Sequence, residues 1–90
     1  MLKLKLKKDD YDFLEGVGHD IFDFSSGIEE SKDDVFVLFK DVEQWNAFDA
    51  DYSGAIVHYG MTPSPEYEIT DIGNRMEYIH DKYFGMLVNN

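Results

Sequence analysis

The sequence predicts an α+β fold: one small domain over residues 1–90, with a few-stranded, mostly antiparallel sheet and two or three helices. Three observations predict it. LKLKLK, residues 2–7, alternates apolar and basic residues with the period of a strand. VFVLF, residues 35–39, is β-branched and aromatic and too short to be a helix on its own. Apolar residues recur at helical spacing from Val42 to Tyr52 and again from Ile72 to Tyr83.

In the first strand Leu2, Leu4 and Leu6 take one face, and Lys3, Lys5 and Lys7 the other. Two readings of the lysine face stand open. It blunts an edge strand, or it balances the acids of neighbouring elements. Residues 9–24, DDYDFLEGVGHDIFDF, read as a helix capped by Asp9 or Asp10, with Leu14, Val17, Ile21 and Phe24 near helical spacing. Gly16 and Gly18 oppose this, at about 1 kcal/mol each in a helix interior. Residues 25–34 read as a polar connection leading to the strand at 35–39. Asp41 caps a second helix with the stripe Val42, Trp45, Phe48 and Tyr52, and Ser53 and Gly54 are expected to stop it. AIVHY, residues 55–59, fits a strand, with a helix as the alternative. MTPSP, residues 61–65, reads as a loop, because each proline biases its predecessor away from helix. EYEI, residues 66–69, fits a short strand. The last helix has Thr70 as cap, Asp71 at the positive end of the dipole and an Asp71–Arg75 pair. Ile72, Met76, Ile79 and Tyr83 form its buried stripe, and Gly85 is its C′ residue.

Charge is the dominant compositional fact. The chain has 8 cations against 19 acids, a formal charge of −11. Lys3, Lys5, Lys7 and Lys8 supply half the cations, and acids dominate from residue 9 onward. Such a surface repels nucleic acid and anionic membrane, and it attracts basic protein surfaces. No cysteine is present, which excludes disulfides and thiolate zinc sites. Seven Phe, six Tyr and one Trp supply the apolar area of a folded core. No stretch is long and apolar enough for a membrane span, and no apolar segment follows the basic start as a secretory signal requires. The expectation is a protein of the bacterial cytoplasm that needs no cofactor.

FDADYSGAI, residues 48–56, matches the first half of an EF-hand calcium loop. Asp49, Asp51 and Ser53 take positions 1, 3 and 5, and Gly54 the turn position. The match ends there. Position 12, which needs a bidentate glutamate, is Gly60, and prolines occupy the place of the outgoing helix. A weak calcium module is therefore the lesser alternative. His19, His58 and His80 have no metal-ligand spacing, no serine has a nucleophile-elbow context, and EGVGHD lacks the third glycine and the lysine of a phosphate loop. An enzyme is not expected.

Binding remains. Asp9, Asp10, Asp12, Asp20, Asp23, Glu29, Glu30, Asp33 and Asp34 are the candidate partner-binding acids, a field that steers onto a cationic groove built for DNA or RNA. Tyr11, Trp45, Tyr52, Tyr59 and Tyr67 are candidate aromatic anchors. With its single-domain size, lack of cysteine, negative charge, abundant Tyr and Phe, and the stretch YEITDIGNRMEYIHDKYF at 67–84, the chain resembles the small acidic inhibitors of phages and mobile elements. These include anti-CRISPR and DNA-mimic proteins. The resemblance is one of class, and no motif carries a residue over. It implies inhibition of a basic nuclease by occupation of its nucleic-acid or PAM-reading site, arginines meeting carboxylates in place of phosphates. A structural phage protein that forms homo-oligomers is a further alternative.

Overall fold

The structure, a computed structural model, describes residues 2–62 and 68–89. The elements run β1 (Leu2–Lys7), α1 (Lys8–Val17), β2 (Gly27–Glu30), β3 (Asp34–Phe39), α2 (Val42–Gly60), α3 (Asp71–Tyr83), a 3-10 turn (Phe84–Met86) and β4 (Val88–Asn89). The four strands form one antiparallel sheet in the order β2-β3-β1-β4, and the fold is α+β as the sequence predicts.

The register explains the alternation of β1. Leu2, Leu4 and Leu6 stand opposite Phe39, Val37 and Val35, and all six are buried under the helices. Lys3, Lys5 and Lys7 stand opposite Leu38, Phe36 and Asp34 on the other face, which no helix covers. β1 is an inner strand, so its lysines do not serve chiefly to blunt an edge. They meet acids: Lys3 lies 4.0 Å from Glu29, and Lys5 and Lys7 lie 3.8 and 3.5 Å from Asp34. Lys3 also stands over the Phe36 ring, its stem shading a half-buried aromatic.

Four sequence expectations are corrected. The helix expected over residues 9–24 ends at Val17, where the Gly18 N–H bonds to the Leu14 carbonyl. The Tyr59 ring lies against Gly18, so a Cβ there, at 2.7 Å from the ring, would have to displace it. Turns follow, burying Ile21 and Phe22. Within the supposed connection at 25–34, Gly27–Glu30 pairs with β3 as an edge strand, closed by the turn in which the Ser31 N–H donates to the Asp34 carbonyl at 2.9 Å. Ser53 and Gly54 do not stop α2. The helix runs to Gly60 and absorbs residues 55–59, which are helix and not strand. Gly54 faces open space, so it costs the helix about 1 kcal/mol and no packing. Gly85 lies inside the 3-10 turn and not at a left-handed C′ position. Half of the proposed strand at 66–69 lies outside the described residues, as does most of the 61–65 loop. Met61 and Ile69 form an isolated antiparallel bridge.

Predicted caps hold where they can be seen. The Asp41 side chain accepts from the Gln44 N–H, and the Thr70 hydroxyl accepts from the Gly73 N–H. Thr70 also donates to the Gly60 carbonyl, tying the end of α2 to the start of α3. Here the two helices touch backbone to backbone, Gly60 against Gly73, with no room for a Cβ on either. Phe48 sits at the centre of the core, its ring within 6.3 Å of those of Phe22, Phe39, Trp45, Tyr52 and Phe84. Val42 and Ile72, expected on the buried stripes, are exposed at the outer margins of α2 and α3.

Candidate acidic interface

The nine predicted acids separate by what they meet. Asp34 lies between Lys5 and Lys7 on the open sheet face; its Oδ1 is buried without a hydrogen bond and is balanced by the Lys7 charge alone. Glu29 faces Lys3. Asp9 and Asp33 border the same cleft as Lys7, Lys8 and Lys32, at the hairpin end of the sheet. Asp10 is pinned by the Tyr83 hydroxyl at 2.6 Å and by Arg75 at 3.3 Å. Arg75 therefore reaches across to α1, where it also stacks over Phe13, in place of the predicted contact with Asp71. These five acids lie among cations.

The other four do not. Asp12 and Glu30, with Glu15, surround Tyr11, whose phenol donates to Glu15 Oε1 at 2.7 Å. Burial, then that bond and the three charges, push the Tyr11 phenol well above its ordinary value. The Tyr11 ring packs on Phe22 at 4.9 Å, in the turn segment that carries Asp20 and Asp23. Asp51 projects from α2 toward this pair. Partial burial first, and then Asp20 and Asp23, raise its carboxyl above the usual range. Asp20 in turn accepts from Tyr59 at 2.8 Å. One side of the molecule thus carries Asp12, Glu15, Asp20, Asp23, Glu30 and Asp51, and none of the six forms an ion pair among the described residues. Glu15 lies one turn from Tyr11 on α1, where a helical reading of this segment places it beside Asp12, and Asp51 joins through a tertiary contact that the linear runs of acids do not reveal.

The tyrosines orient this surface more than they decorate it. Tyr11 and Tyr52 are buried, and Tyr52 donates to the Met76 carbonyl at 2.6 Å. Tyr59 holds Asp20, Trp45 is a half-buried member of the core, and Tyr67 lies outside the described residues. Among the described residues the well-exposed aromatics are Phe24 and Tyr78, which the sequence did not single out as anchors.

The expected calcium loop is helical in the structure. Asp49, Asp51 and Ser53 lie on the continuous helix α2, where residues two apart point about 200° from one another and do not converge on one cation. Asp49 Oδ1 meets His80 Nε2 at 3.1 Å, Asp51 faces Asp20 and Asp23, and the Ser53 hydroxyl donates back to the Asp49 carbonyl. Among the described residues no three metal-ligating side chains gather, and no helix is long and apolar enough to cross a membrane. His80 Nδ1 also faces Asp81, so both ring nitrogens are engaged by carboxylates.

Fold and site define a class: a small α+β domain with a one-sided, unpaired carboxylate surface. Compared with known proteins, the chain matches no family model, no curated protein and no solved structure.

Proposed function

We propose that this protein is a binding module, not an enzyme, that inhibits or sequesters a basic nucleic-acid-handling protein through its acidic side. The observation that supports the reading is the segregation of charge. Lys3, Lys5 and Lys7 pair with acids on the open sheet face, while Asp12, Glu15, Asp20, Asp23, Glu30 and Asp51 form no ion pair among the described residues. Carboxylates left unneutralised, against the cost of their mutual repulsion, present a field that a DNA- or RNA-binding groove would accept in place of phosphates. Lysine and arginine in such a groove would make charge-assisted bonds to them.

The test is displacement. Nuclease-treated bacterial lysate is passed over the immobilised protein, and the column is then eluted with duplex DNA. The expected result is release of a DNA- or RNA-binding protein by the duplex. Retention of nothing, or of proteins that the duplex does not displace, would contradict the reading.

A further inference from the structure

We propose that the basic partner docks by adding an extended segment to the free edge of β2, as a fifth strand whose cationic side chains lie against Glu29 and Glu30. The inference rests on the acidic-interface reading and specifies its binding mode. β2 is the outermost strand of the sheet. Counted from the Ser31–Asp34 bonded pair, the alternation of an antiparallel ladder turns the N–H and C=O groups of Ile28 and Glu30 outward, away from β3. These groups have no bonding partner among the described residues.

The edge also offers side-chain recognition. Ile28 is 36% exposed on the helix-facing side of the sheet, and Phe24, just before the strand, is 48% exposed. Glu30 and Asp23 border them as part of the acidic side, and Glu29 projects from the opposite face. An incoming strand with apolar residues over Ile28 and cationic ones against Glu29 and Glu30 matches both features.

Twofold pairing of β2 centred on Glu29 would set that glutamate opposite its own copy, and pairing centred on Ile28 would set Glu29 and Glu30 opposite Gly27 and Ser26, so a second copy brings no cation to either glutamate. The lysine-bearing strand β1 is not free to serve either. β3 pairs with all six of its residues on one side, and β4 covers it at Leu2 and Lys3 on the other. The occupant is a basic strand from another protein.

Amide hydrogen exchange of the full chain, with and without a synthetic peptide of alternating lysine and valine, tests this. A lysine–glycine peptide of equal charge is the comparison. Exchange at Ile28 and Glu30 should slow about tenfold with the first peptide and not with the second. Unchanged exchange, or equal slowing by both peptides, would overturn strand addition. Ile28→Pro deletes one outward N–H while keeping both glutamates, and it should abolish the response. If that variant does not fold, the exchange result on the native chain decides. Duplex-displaceable capture without peptide protection would reject strand addition alone. Protection without such capture would reject the proposed function alone.

Discussion

Single residues set both the helix packing and the electrostatic cost of the acidic side. Gly60 and Gly73 are buried where α2 meets α3, and each occupies the space a neighbouring Cβ would need. Gly73→Ala gains helix propensity but must push the helices apart. Overpacking of this kind costs roughly 1–3 kcal/mol, and each kcal/mol lowers the Tm of a domain this size by about 4–8 °C. A thermal melt with an unchanged midpoint would refute the close approach. Asp51 gives a pH test with a definite sign. Its folded-state pKa is raised, so the ionised form is disfavoured in the folded state. That penalty is fully present at neutral pH, eases as pH falls through the raised value, and is gone below the ordinary carboxylate pKa. Asp51→Asn should therefore stabilise the protein at pH 7, by about 0.5 kcal/mol for a partly solvated group, and should match the native chain near pH 3. Denaturant midpoints at the two pH values check this. A gain only at acid pH would reverse the sign and contradict it.

At the scale of elements, the strands of period two and the capped last helix were legible because local pattern and tertiary environment agree there. β1, β3 and the Thr70 cap fall where the residues place them. Elsewhere a local signal lost to packing. Ser53 and Gly54 look like a stop, yet the stripe Phe48, Tyr52, Ala55, Ile56, Tyr59 continues through them, and the core holds the helix together. The same two residues suggested the calcium loop. Gly54→Ala separates the two pictures. On a helix with open space around Gly54, alanine should stabilise by about 0.5–1 kcal/mol, raising the melting temperature. A sizeable loss of stability would restore a turn at this position. Gly27–Glu30 was hidden for a different reason. A short edge strand with glutamates has little β-propensity of its own, and it forms because β3 offers a ladder.

For the whole molecule, composition announced an acidic surface, and topology decided which acids belong to it. A run of carboxylates from Asp9 to Asp34 reads as one patch along the chain. The fold places Asp9, Asp10, Glu29, Asp33 and Asp34 among lysines and Arg75, and it brings Asp51 from α2 beside Asp20 and Asp23. No linear pattern encodes which side a residue faces after two turns and a hairpin. On the proposed function this side, and not the net charge, makes the protein a ligand for a nucleic-acid-binding groove. The most direct measurement compares duplex-displaceable capture by three immobilised proteins: the native chain, Asp12→Asn/Asp23→Asn/Glu30→Gln, and Asp71→Asn/Glu77→Gln/Asp81→Asn. The two variants lose the same formal charge, the second from the exposed face of α3. The first variant should lose capture and the second should keep it. Equal loss in both would reduce the surface to bulk charge, and undiminished capture by both would place the interface elsewhere.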